Sequence, residues 1–275
     1  MTTGELDASD RGAGDGAVFR ADGVRGGDVC GGGVRGGDGA AGCAGGVRGG
    51  VADEPRTPRR IALVGTADTG LDFLLGDFRD AYGAYSMLAG CELPEFERVV
   101  LGADAVAGDR TGTGAIAADM FGSVVLALDG PQEPDAGNLD VLASRMEPEC
   151  RLHVILDAPG LDPHAVDGTA RTLAGLCTRC GFLWAGGVAF AGGRPFDALR
   201  HSPRMGLLRR PFSEVMDMLV GSVRMGCSVR RSQELGGADV SGFDELGLVR
   251  ATPALPPWLW KPVMHALGRN GHHPR

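Results

Sequence analysis

The chain has 275 residues, 43% of them hydrophobic, with a formal net charge of -8 and seven cysteines. That is enough apolar material for one good core, and the length allows one or two domains. The acidic balance argues against a general nucleic-acid surface, no run approaches the roughly 18 apolar residues of a membrane span, and an odd, scattered cysteine set points away from a disulfide scaffold and towards a reduced, cytoplasmic setting.

Residues 1–59 carry a disproportionate share of the 47 glycines. GVRGGD at Gly23–Asp28 recurs at Gly33–Asp38, and GVRGG follows at Gly46–Gly50. These starts lie 10 and 13 residues apart, too short and irregular for a solenoid, whose units run to roughly 20–50 residues. With few large apolar side chains, the segment cannot offset the entropy of ordering, and a disordered tail is expected. An RNA-binding RGG segment is the sharper alternative. Aspartates nearly match the arginines, and no aromatics interleave for base stacking, so it is disfavoured. The start lacks the basic and apolar regions of a signal peptide. A native start near Val51 is also open; an N-terminal peptide from before that residue would end it.

The ordered part begins at Ile61-Ala62-Leu63-Val64, a short apolar run that predicts a first buried strand. The loop Gly65–Gly70 follows. Leu71–Leu88 reads as a helix, with Leu71, Leu74, Leu75 and Phe78 on one face. Phe96–Leu101 is a second strand. A linker at Thr111–Gly114 leads into a helical stretch ending near Met120. Ser123–Leu128 is a third strand, closed by Asp129-Gly130-Pro131. Asn138–Met146 is predicted helical, with Asn138 as its cap. Arg151–Leu156 is a fourth strand. Asp162 or Pro163 starts a helix that runs to about Cys180. Trp184–Ala191 is a fifth strand that opens around Trp184 and one glycine pair and ends at a second. Leu207–Val223 is a last long helix.

Short apolar runs alternating with helices predict an α/β fold with a parallel sheet and right-handed crossovers. Five strands suit a flavodoxin-like three-layer sandwich, order 2-1-3-4-5. The predicted domain spans 60–226, and 227–275 is a C-terminal extension with a short helix. Such folds bind ligands beyond the carboxyl ends of the strands, beside strand one. That points to loops 65–70, 129–137 and 157–163.

The span Arg151–Gly193 resembles the flavodoxin-like NADPH-dependent FMN reductase family. In one branch a helix ending W-C-x-x-x-G-L precedes a W-G-G-G strand. Here Leu176-Cys177-Thr178-Arg179-Cys180-Gly181-Phe182-Leu183 leads into Trp184-Ala185-Gly186-Gly187. Pro256-Pro257-Trp258-Leu259-Trp260 and Gly268-Arg269-Asn270-Gly271 resemble that branch's P-R-F-x-Y and A-N-R-G-W tail, with Arg and Asn reversed. The resemblance covers about residues 60–275. It implies FMN as cofactor, NAD(P)H as co-substrate and a small-molecule or flavin electron acceptor, with no catalytic acid or base from the protein. Gly65, Thr66 and Thr69 would hold the phosphate. Asp129, Gly130, Pro131, Ala158, Pro159 and Gly160 would surround the ring.

The sequence departs from the family in those same loops. The family's N-G-S-P-[RK] is here Gly65-Thr66-Ala67-Asp68-Thr69-Gly70. The proline and basic residue are missing, and Asp68 opposes an anion. The family's apolar-Pro-[LI]-Tyr segment is here Asp129-Gly130-Pro131-Gln132-Glu133-Pro134-Asp135, with three acids and no aromatic. A second reading is therefore a degenerate flavodoxin-like scaffold that binds no flavin and acts through protein contacts.

Other candidates have plainer explanations. Thr66 and Thr69 also suit ordinary cap chemistry. Cys177 and Cys180 form a CxxC at the wrong end of a helix for a redox motif, so packing is favoured. His265, His272 and His273 with Cys227 have metal-ligating chemistry, but a polar tail is the simpler account. Asp129, Glu133 and Asp135 lie among prolines and glycines and read as a solvated loop. Trp258-Leu259-Trp260 with Val263, Met264 and Leu267 is amphipathic. It suits docking on the domain or on a second subunit better than a membrane surface, and the family's frequent dimers favour a homodimer.

Overall fold

Ile61, Ala62 and Val64 are fully buried, so β1, Arg60–Thr66, is apolar on both faces. A strand like that belongs in the middle of a parallel sheet covered on both sides. In the computed structural model β1 pairs in parallel with β2, Glu95–Leu101, and with β3, Phe121–Asp129. The structure describes residues 55–66, 69–101, 120–130, 142–191, 199, 203–241 and 243–270. The chain divides into two units, Met1–Gly45 and Gly46–Arg275, and all described residues belong to the second. The glycine-rich repeats, the stretch before Met120, Asn138, Gly192-Gly193 and His272-His273 lie outside them.

β4, Met146–Ala158, and β5, Leu183–Ala191, continue the sheet, and Leu248–Ala251 adds β6 beside β5. All pairings are parallel, in the order β2-β1-β3-β4-β5-β6. The first five strands hold the predicted order, but the sheet has six strands, not five. β6 escapes a pattern search because it has only four residues, one of them Arg250, which pairs with Asp167 and Asp244.

Five helices are described: α1, Thr69–Ala89; α2, Asp167–Cys180; α3, Arg210–Met225; α4, Val229–Leu235; and α5, Pro257–Asn270. A 3₁₀ turn, Pro163–Val166, leads into α2, and Asp162 caps it by accepting from the His164 N–H at 2.9 Å. The predicted helix over Asn138–Met146 is corrected at its end: Met146 is the first residue of β4.

Strand alternation divides the core in two. Ile61, Leu63, Val125, Ala127, Ile155 and Phe190 pack under α1, α3, α4 and α5. Ala62, Val64, Val124, Leu126, Val154 and Leu156 pack against α2. The result is a three-layer sandwich. Trp260 and Met264 of α5 are 1% and 3% exposed within the first core, so the C-terminal segment is part of the domain's interior. His153 ties the layers: its Nε2 donates to the Cys227 carbonyl at 3.2 Å, and its Nδ1 accepts from the Ser123 hydroxyl at 3.3 Å.

The glycine pair Gly186-Gly187 has a structural cause. Leu152 pairs with Trp184, but Val154 pairs with Gly187, so β5 carries one extra residue there. A bulge of this kind brings backbones close. A Cβ on Gly186 would sit 2.3 Å from the Gly247 carbonyl oxygen, and one on Gly187 would sit 2.0 Å from that of Val154.

β2 forms one edge of the sheet. Its charges are paired to its neighbours: Arg60 meets Glu95 at 2.9 Å and Glu97 at 3.3 Å, and Arg145 meets Glu97 at 2.7 Å.

Candidate functional site

After β1 the chain moves to one side to make β2, then crosses to the other side to make β3. In sheets of this order the carboxyl end of the first strand is the switch point beyond which ligands bind. α1 starts at Thr69, so only Ala67 and Asp68 separate it from β1. Thr66 and Thr69 end β1 and begin α1 respectively. Pro131, Glu133 and Asp135 lie outside the described residues.

Gly65 is buried and pairs with Ala127. A Cβ there would lie 3.1 and 3.2 Å from the two terminal nitrogens of Arg98 and 3.3 Å from Leu75 Cδ1. Arg98 is the residue that sequence patterning missed. It sits in β2, donates to the Leu63 and Val99 carbonyls at 3.3 and 2.8 Å, and donates from Nε to Asp72 Oδ1 at 3.1 Å. Asp72 is in the first turn of α1. The turn lacks a basic residue of its own, and the neighbouring strand supplies a guanidinium beside it.

Asp129, Gly130, Ala158, Pro159 and Gly160 gather at the ends of β3 and β4. Asp129 pairs in register with Asp157, and the Gly130 N–H donates to the Asp157 carbonyl at 2.7 Å. Gly130 and Gly160 have φ of 63° and 82°, which suits glycine. Ala158 is fully buried in the α2 core, so it frames the site and does not line it. Pro159 and Gly160 are exposed.

Asp157 is the second residue missed. Read along the chain, Asp-Ala-Pro-Gly is an ordinary turn. In the fold, Asp157 is only 7% exposed, and its buried Oδ1 has no hydrogen-bond partner among the described residues. Strand alternation puts it on the same face as Ile155, between Asp129 on β3 and Phe190 on β5. Burial first, and then the charge of Asp129, push its carboxyl up to about 7. An acid held near neutrality offers an O–H donor that an ordinary aspartate lacks.

The remaining candidates are structural. Cys177 is buried, and burial followed by the charge of Cys180 pushes its thiol up to about 12, the wrong direction for a nucleophile. Among the described residues no three His, Cys, Asp or Glu side chains gather as a metal site. His265 is exposed and Cys227 is buried. No described helix is long and apolar enough to cross a membrane. A polar cleft of about 720 Å³ lies at the opposite, amino end of the sheet, lined by residues such as Arg59, Gly122 and Glu147. It is far along the strands from the carboxyl ends and shares none of these residues.

The fold is α/β, with a parallel six-stranded sheet whose candidate residues gather at its carboxyl edge. No protein-family model matches the chain, and no curated protein is significantly similar to it.

Proposed function

We propose that the chain is an FMN-binding, NAD(P)H-dependent oxidoreductase of flavodoxin-like fold. The observation that carries this reading is the switch in strand order at β1, where the chain first steps to β2 on one side and then crosses to β3 on the other, with the N-terminus of α1 at that point. A helix start there favours a phosphate, because free N–H groups and the helix dipole face it. Gly65 ends the buried part of β1 with the Arg98 guanidinium beside it, and Thr66 and Thr69, at the strand end and helix start, would supply hydroxyls. The segments Asp129–Gly130 and Asp157–Gly160 would border the ring. The cofactor would supply hydride chemistry between a nicotinamide and an electron acceptor; the chain would bind, orient and exclude water.

One observation favours the second reading, a flavodoxin-like scaffold without flavin that acts through protein contacts. Asp129 and Asp157 are register partners at the carboxyl ends of β3 and β4, and an anion gains nothing from two neighbouring acids.

The deciding experiment is a titration of FMN fluorescence with the full chain. Quenching at micromolar protein, about -8 kcal/mol of binding, supports the oxidoreductase. Thr66→Ala should then weaken binding roughly three- to tenfold, the worth of one hydrogen bond. An FMN spectrum unchanged at the highest protein concentration overturns it in favour of the scaffold.

A further inference from the structure

We infer that the polar cleft at the amino end of the sheet binds a small molecule through an oxyanion, a phosphate or a carboxylate, held by Arg59 and Arg151. The cleft lies at the opposite end of the strands from the residues of the flavin reading, and the inference does not depend on that reading.

The chain before β1, Pro55–Arg59, forms one side of the cleft. It is seated firmly. The Arg56 N–H donates to the Gly226 carbonyl at 3.3 Å, and a Cβ on Gly226 would lie 1.6 Å from the Arg56 carbonyl oxygen. The start of β4 forms another side. Phe121 pairs with Met146, and Ser123 pairs with Arg151. Between those pairs β3 advances two residues and β4 five, so the stretch after Met146 swings out of register. Within it Glu149 has a φ of 64°, the one positive value at a non-glycine among the described residues. A side chain is disfavoured there, and such outliers gather at ligand clamps. Gly122 lies between the two sides: a Cβ on it would meet Pro58 Cβ at 3.4 Å and Glu147 Oε2 at 3.6 Å.

The lining selects the ligand. About 720 Å³ is within the range of small-molecule sites, roughly 300–1,000 Å³. None of the described residues that line it is aromatic, and prolines supply most of its apolar surface, so it suits a polar molecule and offers no platform for a flat ring. Three guanidinium groups stand against two carboxylates, a positive balance on a chain whose net charge is -8. Arg56 and Glu147 meet at 3.4 Å and largely answer each other. Arg59 is exposed at the rim, and Arg151, 8% exposed, stands deeper. A guanidinium carries five N–H donors in a planar fork, so Arg151 can serve a protein partner and a ligand together. Planar forks match carboxylate and phosphate oxygens.

The test is calorimetry of the full chain with inorganic phosphate and, separately, citrate, at constant ionic strength against chloride. One ion per chain with Kd below about 1 mM is expected for at least one probe. Phosphate alone assigns the site to phosphate esters; citrate alone assigns it to carboxylates; both sustain the inference. Arg59→Ala, at an exposed position, should weaken binding about three- to tenfold. Arg151→Lys keeps the charge but loses the fork, and should weaken it about tenfold; Arg59→Ala keeps the test readable where the Arg151 variant folds badly. Thr66→Ala should leave this binding unchanged. Binding that Thr66→Ala weakens and Arg59→Ala does not would put the ion beside α1, overturning the inference while supporting the flavin reading. No binding of either probe overturns the inference and leaves the FMN titration to stand by itself.

Discussion

At the scale of single residues, Asp157 links the carboxyl edge of the sheet to the stability of the fold. Its carboxyl ordinarily titrates at 3.8 and is raised to about 7 by burial and by Asp129. The folded chain therefore holds a proton that the unfolded chain has already released between those values. Its contribution to stability is complete below about pH 4 and is lost as pH rises through about 7. Across that window the loss from this group is roughly 1.4 kcal/mol per pH unit at most. Asp157→Asn removes the titration. Urea unfolding of parent and variant between pH 4.5 and 8 should give a flatter profile for the variant, and parallel profiles would show that the side chain is solvated. No sequence pattern announces this residue. Asp157-Ala158-Pro159-Gly160 has the letters of a turn, and only register with Asp129 and closure of the core over β4 reveal the burial. Arg98 was hidden in the same way: a charge within FERVVL reads as solvent-facing until α1 brings Asp72 over it. Gly65, Gly130 and the strand ends around them were legible, because glycines after apolar runs mark where strands stop.

At the scale of elements, most of the strands legible in the sequence are those buried on both faces; β2, read from FERVVL, is the half-exposed exception. β1, β3, β4 and β5 are near-continuous apolar strings, and such strings are hard to place elsewhere than mid-sheet. β6 gave no such signal, since four residues with an arginine among them pair only because β5 offers an edge. The length of β4 was also underestimated: Met146–Cys150 alternates buried and exposed positions too irregularly to read as strand. The glycine pair in β5 carries a family-like motif, yet its cause is the bulge against β4 and the loop before β6. Gly187→Ala forces a Cβ to within 2.0 Å of the Val154 carbonyl oxygen, so the two strands must part. The expected cost is about 2–4 kcal/mol. Gly175→Ala, in α2 with nothing near the new methyl group, should instead gain about 0.5–1 kcal/mol. Urea midpoints of the two variants check both signs; a Gly187→Ala chain as stable as its parent would mean that the bulge relaxes freely.

At the scale of the whole molecule, α-helical layers on both faces explain why fold class was readable while function was not. Alternation of apolar strings and helices is a global property, repeated at each unit. A binding site is built from a few strand ends that meet only after folding, and its residues share no spacing along the chain. Gly65, Asp129 and Gly160 illustrate this: they stand on three separate strands or loops, and only the parallel arrangement brings those ends to one side.

Among the described residues no strand pairs beyond β2 or β6. A row of unpaired backbone groups is a template on which another chain can add a strand. β6 presents only four residues of such a row, and β2 presents seven. Along β2 the groups most accessible to a newcomer are flanked by Glu95, Glu97 and Arg98, and the ion pairs through Arg60 and Arg145 hold those charges in place. The Arg145 pair is partly exposed and contributes little to folding energy, while the Arg60 side chain is only 15% exposed. The effect of these charges is on company: a second copy docking edge to edge would have to strip water from them. Replacing Glu95 and Glu97 together by valine leaves the mostly buried Arg60 without these partners, so it should cost about 1–3 kcal/mol in urea unfolding and make the folded chain self-associate, seen as rising light scattering with concentration. Scattering that matches the parent would place the barrier to stacking elsewhere than in these two carboxylates.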